Sequence, residues 1–185
     1  MASTADRIVI LARQKQSIFH TQDLARLWGI ENLNTLYSLL RRYHSKRILF
    51  RIYKGLYSLL PVDQLDALIV GAKALHSFAY VSTETVLVEA GIIAQADYHY
   101  TFVSAHSRRF QIGNRSFISR QLKDEYLYNS AGISEKNGLL IASLERAVAD
   151  LLYFNPKVYL DGVDRLDFAK VRDIQKEVGY PLTPL

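Results

Sequence analysis

The chain has 185 residues, of which 49% are hydrophobic and 22% are charged, and its formal net charge is +5. This composition is that of a globular protein and excludes disorder as the main state. Because there is no cysteine, disulfides, a thiol nucleophile and a thiolate metal site are excluded. No apolar run reaches the roughly 18 residues of a membrane-spanning helix, so we expect a cytoplasmic protein that does not bind membranes.

The positive charge is concentrated in the first third of the chain. Residues 1–60 hold ten Lys or Arg against three acids, a net charge of +7, whereas residues 61–185 hold thirteen basic and fifteen acidic residues, a net charge of −2. A module with this excess is suited to neutralising phosphates. An acidic protein partner, or solubility alone, would also fit the charge.

Short helices are predicted at the start of the chain. Apolar spacing indicates a helix over residues 5–12. A second helix is predicted to follow Thr21 as its N-cap and to end at Gly29 in the left-handed conformation. Asn32 is predicted to cap a third helix. Two helices joined by a short glycine-containing connection are typical of a helix-turn-helix.

The third helix has two unlike sides. Its apolar side is formed by Leu33, Leu36, Leu39, Leu40 and Tyr43. Opposite or flanking positions are occupied by Asn34, Thr35, Ser38, Arg41, Arg42 and Ser45, with Lys46 directly after them. Short polar side chains let a helix approach base edges, and arginine pairs with guanine or phosphate. A solvated surface with basic residues near the helix C-terminus fits this pattern equally well.

Two β-prone runs follow, Ile48–Tyr53 and Leu56–Leu60, and they are joined by Lys54 and Gly55. A two-residue link with glycine predicts a tight hairpin. Arg51 and Lys54 would reach the DNA backbone or minor groove. The side chains expected to alternate onto the helices are Ile48, Phe50 and Ile52. Such a basic hairpin directly after a basic helix indicates a wing.

The chain is therefore predicted to be α+β, with a winged helix-turn-helix over residues 1–61 and a small mixed α/β domain over residues 62–185. The predicted elements of the second domain are a helix over 63–75, a helix capped by Ser82 or Thr83 and ended by Gly91, a strand over 100–104, a hairpin over 109–120, a helix over 144–154 capped by Ser143, and a last helix from Phe168 to Gly179.

Catalytic and metal-binding patterns are not convincing in this sequence. The histidines have no i, i+4 pairing with each other, and no phosphate-binding loop of the Walker type occurs. Asp161, Asp164 and Asp167 fit a loop before a helix better than a metal site. Arg146 and Asp150 are spaced as an i, i+4 ion pair. We expect no enzyme activity, catalytic residue, metal or cofactor, although a nuclease-like or nucleotidyl-handling domain over residues 80–185 and a protein-binding adapter stay open as alternatives.

Four stretches within Thr21–Pro156 resemble a known family. They are RILFRIYKGLYSLLP, YVSTETVLVEAGII, YTFVSAHSRRFQIG and GLLIASLERAVADLLYFNP. The first is found in many regulators, whereas the later three, in this order, are more specific. Together they resemble the AbiEi-type antitoxins of type IV toxin–antitoxin systems, which regulate abortive-infection loci in phage defence.

The resemblance implies a transcriptional repressor that binds double-stranded DNA at inverted repeats in its own operator. It also implies a C-terminal part that counters a nucleotidyltransferase-like toxin without a stable complex. The positions expected to contact DNA are Asn34, Thr35, Ser38, Arg41, Arg42 and Lys46 on or directly after the third helix, with Arg51 and Lys54 on the hairpin.

Overall fold

A computed structural model describes residues 3–94 and 99–183 of the chain. It is a mixed α+β structure that divides into two compact units, Met1–Asp66 and Ala67–Leu185. The sequence had placed the boundary after residue 61.

The first unit begins with helices and ends with a hairpin. Its elements in chain order are α1 (Thr4–Ala12), β1 (Ile18–His20), α2 (Thr21–Trp28), α3 (Leu33–Ser45), β2 (Phe50–Tyr53) and β3 (Leu56–Ser58). The strands form an antiparallel sheet in the order β1-β3-β2. Leu11, Leu24, Leu40 and Leu49 are fully buried in a core that all three helices share.

Local signals at the turn between α2 and α3 are confirmed. Gly29 ends α2 with φ +61° and ψ +39°, the left-handed conformation that glycine adopts without strain. The side chain of Asn32 accepts a hydrogen bond from the backbone N–H of Thr35 at 3.1 Å, so Asn32 is the N-cap of α3. Only four residues therefore separate α2 from α3.

One prediction for the first unit is wrong and another holds only in part. Thr21 is not the N-cap but the first residue of α2, because its hydroxyl donates to the carbonyl of Gly55 at 3.2 Å instead of accepting from the helix. The expected alternation of Ile48, Phe50 and Ile52 onto the helices holds in part. All three are half-buried while Arg51 between them is exposed, and Ile48 packs against the helical core, but the fully buried residue of this segment is Leu49.

The second unit consists of a sheet with helices on its faces. Its elements are α4 (Ala67–Leu75), β4 (Ala79–Val81), α5 (Glu84–Glu89), β5 (His99–Ser104), β6 (Arg108–Ile112), β7 (Arg115–Gln121), α6 (Asp124–Leu127), β8 (Ile133–Lys136), β9 (Leu139–Ala142), α7 (Leu144–Phe154) and α8 (Phe168–Val178). The strand order is β6-β7-β5-β4-β9-β8, in which β5–β7 and β4–β9 are parallel.

Helix α4 packs very closely on this sheet. A Cβ atom at Gly71 would lie 2.7 Å from ring atoms of both Phe102 and Phe117. Val103, which points away from Phe102 on the same strand, belongs to the core that contains residues of α5, α7 and α8. The two faces of the sheet are therefore covered by different helices.

The helix predicted over residues 63–75 is interrupted. A short 3₁₀ turn, Val62–Gln64, is followed by Leu65 in the extended conformation, and α4 begins only at Ala67. Ser82 and Thr83 do not cap α5 through their side chains, since Ser82 donates to Asp150 instead. The strand β5, the β6–β7 hairpin, helix α7 with its Ser143 cap and helix α8 are confirmed.

Candidate nucleic-acid interface

Helix α3 is held in the first unit by one side only. Leu36 and Leu40 are fully buried, and Tyr43 and Leu39 are 1% and 6% exposed. The ring of Tyr43 contacts that of Trp28 edge to face at 5.8 Å, and the Trp28 indole donates to the carbonyl of Arg7 at 3.3 Å. These contacts fix the rotation of α3 about its axis relative to α1 and α2.

The opposite side of α3 is exposed along its whole length. The exposed polar and basic residues on it are Asn34, Thr35, Ser38, Arg41, Arg42 and Ser45, and Lys46 at the C-cap is exposed as well. The polar residues occupy the N-terminal half and the arginines follow in the C-terminal half. All the α3 positions predicted to contact DNA thus point to solvent.

The β2–β3 hairpin is fixed to the start of α2. At its turn, the carbonyl of Gly55 accepts hydrogen bonds from the backbone N–H of Thr21 at 2.9 Å and from its hydroxyl at 3.2 Å. Gly55 itself has φ +93°, which a residue with a side chain rarely adopts. Arg51 and Lys54 are exposed on this hairpin, whose turn the two Thr21 hydrogen bonds hold at the start of α2.

Some of the predicted residues lie together around an open concavity. Its volume is about 970 Å³, and it is lined by Asn34, Thr35, Ser38 and Arg42 together with residues from α1 and the α2–α3 turn. Arg7 of α1 also lines it, although sequence reasoning had not selected this residue. Arg41, Lys46, Arg51 and Lys54 lie outside the concavity.

The cations of this surface are not neutralised by neighbouring acids. Across residues 3–94 and 99–183, none of Arg41, Arg42, Lys46, Arg51 and Lys54 forms an ion pair with a carboxylate. Arg26 on α2 differs, because it pairs with Asp23 at 3.2 Å. Five exposed cations are therefore available to a polyanion.

Two exposed apolar residues of α3 were not expected. Leu33 is 54% exposed and Tyr37 is 51% exposed, although Leu33 had been assigned to the buried side. Leu33 is the first residue of the helix, so no preceding turn covers it. The exposure of Tyr37 could have been predicted from helical periodicity. At 100° per residue, Tyr37 lies about 40° around the helix from exposed Arg41 and about 60° from buried Leu40.

The second unit contains a buried polar cluster around Arg146. The Arg146 and Asp150 side chains are fully buried and form the expected ion pair, with 2.9 Å between Nε and Oδ1. Arg146 also donates to the Tyr80 hydroxyl at 2.8 Å, while Asp150 accepts from Ser82 at 2.7 Å and from Tyr180 at 2.6 Å. Since no solvent reaches these groups and each has partners, the cluster can stabilise the unit but offers no site to a substrate.

Burial controls the ionisation of this cluster. Desolvation, followed by the nearby charge of Asp150, raises the pKa of Tyr80 and of Tyr180 well above the ordinary tyrosine range. Desolvation alone would lower the pKa of Arg146, but Asp150 and the two phenols outweigh it and raise that pKa. Both tyrosines therefore stay protonated and Arg146 stays charged at neutral pH.

Thr83 is the strained residue at the junction of β4 and α5. Its φ of +51° and ψ of −130° are unfavourable for a β-branched residue. A strained hydroxyl residue between a strand and a helix is the arrangement used by some catalytic nucleophiles. The Thr83 side chain is fully buried, however, so in this conformation a substrate cannot reach its hydroxyl.

The acidic residues near the end of the chain have structural partners. Asp167 caps α8 by accepting from the N–H groups of Ala169 and Lys170, and these backbone hydrogen bonds lower its pKa. Asp161 accepts from the N–H of Ala94 at 3.3 Å. Within the described ranges, no group of three or more His, Asp or Glu side chains is arranged to hold a metal ion.

No protein-family model matches this chain, and no curated protein sequence matches it either. Within the described part of the chain, no helix has the length and apolar character needed to cross a membrane. Inferences about function therefore rest on the residues and their geometry.

Proposed function

We propose that the chain is a transcriptional regulator whose first unit binds double-stranded DNA as a winged helix-turn-helix. In this proposal α2 and α3 are the helix-turn-helix, α3 enters the major groove, and the β2–β3 hairpin is the wing. The short α2–α3 connection through left-handed Gly29 supports this, since helix-turn-helix motifs use such a turn. The hydrogen bonds from Thr21 to Gly55 also support it, because they hold the hairpin beside the helices.

One observation carries the proposal: the exposed side of α3 has small polar residues first and then arginines that pair with no acid in the described ranges. Asn34 and Ser38 are short enough to let the helix backbone approach base edges, and asparagine pairs well with adenine. Arg41 and Arg42 can pair with guanine or with phosphate. The helix dipole alone would also favour arginines near the C-terminal end of α3, but it gives no reason for the small polar residues that precede them.

The number of exposed cations sets the expected dependence on salt. If Arg41, Arg42, Lys46, Arg51 and Lys54 each neutralise about one phosphate, the logarithm of the binding constant should fall with the logarithm of salt concentration with a slope of about −4 to −5 per bound chain. Fluorescence anisotropy with a labelled duplex from upstream of the chain's own gene measures this slope. A flat response to salt would contradict the proposal.

Charge removal on α3 tests the recognition helix itself. The double change Arg41→Ala and Arg42→Ala should weaken binding by roughly 1–3 kcal/mol for each of the two arginines that pairs with a base. The matched control is Lys157→Ala with Arg172→Ala, which removes the same charge from exposed positions of the second unit. Equal affinities of the two double variants would refute the assignment of α3. If no DNA sequence binds at all, an acidic protein partner becomes the better explanation of the basic surface.

We further propose that the chain represses its own operon and acts as the antitoxin of a type IV toxin–antitoxin system, with the second unit countering a nucleotidyltransferase-like toxin without a stable complex. Its support is the order of the three later sequence stretches, which resemble AbiEi-type antitoxins. In this view the chain is not an enzyme. Arg146 and Asp150, which are buried and fully paired, then have a structural role in the second unit.

Co-expression tests the antitoxin proposal. A nucleotidyltransferase-like reading frame beside the gene should arrest growth when it is expressed alone, and the chain supplied from an inducible promoter should restore growth. The Arg41→Ala, Arg42→Ala variant should still restore growth, because operator binding is not needed under an external promoter. Absence of such a neighbouring frame, or failure to restore growth despite production of the chain, would contradict the proposal.

A further inference from the structure

Leu33 and Tyr37 form an uncovered apolar pair on an otherwise polar helix surface. They are 54% and 51% exposed, and their i, i+4 spacing places them side by side along α3. They contribute little to the packing of α3 on its own unit, because Leu36 and Leu40 are the residues of α3 that are fully buried there. Two large apolar side chains that are exposed side by side give a small apolar surface that a bound partner would cover.

The pair continues directly into the candidate DNA-binding residues. Tyr37 lies three residues after Asn34 and four residues before Arg41, so it shares a side of α3 with both. Leu33 also stands at the N-terminal end of α3, the end whose residues contact base edges in helix-turn-helix proteins. A helix that enters the groove with Asn34 and Arg41 therefore brings the apolar pair against the same base pairs or their neighbours.

The major groove offers one apolar feature, the C5-methyl group of thymine. Other base edges there present hydrogen-bonding groups, which neither Leu33 nor the Tyr37 ring satisfies; only the Tyr37 hydroxyl can donate or accept. We propose that Leu33 and Tyr37 select thymine in the operator by packing against its methyl group. This inference rests on the proposed function, since it requires α3 to lie in the major groove.

Deoxyuridine scanning tests the inference, because uracil differs from thymine only by that methyl group. A fluorescein-labelled duplex from upstream of the chain's own gene is made with each thymine replaced in turn, and its affinity for the full chain is measured. One or two replacements per half-site should weaken binding roughly fourfold, the factor expected for removing one buried methyl group. Replacements at the other thymines should change nothing.

Variants identify the side chains responsible. Leu33→Ala with Tyr37→Ala should bind the thymine duplex more weakly and should lose its response to the sensitive deoxyuridine positions. Tyr37→Phe should keep that response, because the ring and not the hydroxyl packs against the methyl group. The matched control is Val9→Ala with Leu60→Ala, which removes apolar side chains that are 47% and 44% exposed elsewhere in the first unit, and it should respond like the unaltered chain.

The outcomes separate this inference from the proposed function. Salt-dependent binding that is indifferent to every deoxyuridine would overturn methyl recognition and leave DNA binding standing. The same conclusion follows if the Leu33→Ala, Tyr37→Ala variant keeps the full response, since another group would then read the methyl. A chain that binds none of the duplexes at low salt would overturn both.

Discussion

Replacing Arg146 with methionine should destabilise the second unit by about 3–5 kcal/mol, the usual cost of removing one partner of a buried ion pair. Methionine is long and unbranched like arginine, so this change keeps much of the packing while it removes the charge and all the hydrogen-bond donors of the guanidinium. Besides Asp150 and Tyr80, the guanidinium donates to the main-chain carbonyls of Asn129 and Ala131 at 3.0 and 2.9 Å. These carbonyls would be left without this donor.

Two effects make up this magnitude. Asp150 would stay buried without its cation, although the hydroxyls of Ser82 and Tyr180 still donate to it. Each buried acceptor that loses its donor adds about 1–3 kcal/mol. The double variant Arg146→Met, Asp150→Asn removes both charges, so its loss of stability should be smaller than the sum of the two single losses by roughly 0.5–3 kcal/mol.

Urea unfolding followed by near-ultraviolet circular dichroism provides the assay, since tyrosine rings surround the pair. The ring centres of Tyr80 and Tyr180 lie 5.2 and 5.7 Å from the guanidinium carbon, and Tyr180 stacks on Tyr153 at 4.8 Å. A loss below about 1 kcal/mol for Arg146→Met would refute the reasoning, because exposed ion pairs already contribute that much. Strict additivity in the double variant would refute it as well.

Three further changes test other parts of the second unit. Burial raises the pKa of Tyr180 above its ordinary value of 10.0. The free energy of unfolding should therefore be constant below pH 10 and should fall above it, where Tyr180 ionises in the unfolded chain only. Tyr180→Phe should therefore reduce the alkaline decline in unfolding free energy by roughly 1.4 kcal/mol per pH unit, and an unchanged decline would contradict this. Gly71→Ala should lower the free energy of unfolding by about 1–3 kcal/mol, because the added Cβ would overpack Phe102 and Phe117. A lower midpoint of urea unfolding would show this loss, and an unchanged midpoint would show that the rings move aside freely. Ser143→Ala removes the N-cap of α7 and should lower the free energy of unfolding by about 1 kcal/mol. The backbone N–H of Arg146, which donates to the Ser143 hydroxyl, should exchange faster with solvent in this variant. An unaltered exchange rate at Arg146 would count against the cap.

Much of the local structure could be predicted because its causes are local. Gly29 and Gly55 have the positive φ that their turns were predicted to need, and Asn32 and Ser143 accept hydrogen bonds from three residues ahead. The predicted DNA-contacting positions are exposed for the same reason, since helical periodicity alone separates them from the buried leucines. Each of these features depends on residues that are near neighbours in the chain.

Sequence reasoning failed where the partner is distant in the chain. The strand Ile18–His20 was missed because its register is set by pairing with Leu56–Ser58. Thr21 was misassigned for the same reason, since the Gly55 carbonyl competes for its hydroxyl. The parallel pairing of β5 with β7 and of β4 with β9 likewise has no local signature.

The sequence by itself determined where charge lies, that α3 has one apolar and one polar side, and that Asn32 and Ser143 cap their helices. Only the tertiary structure decided that Leu33 stays uncovered and that Arg146 is enclosed by Tyr80, Asn129 and Asp150. The physical reason is that propensity and capping act through hydrogen bonds between near neighbours, whereas burial depends on which distant segments fold over a side chain.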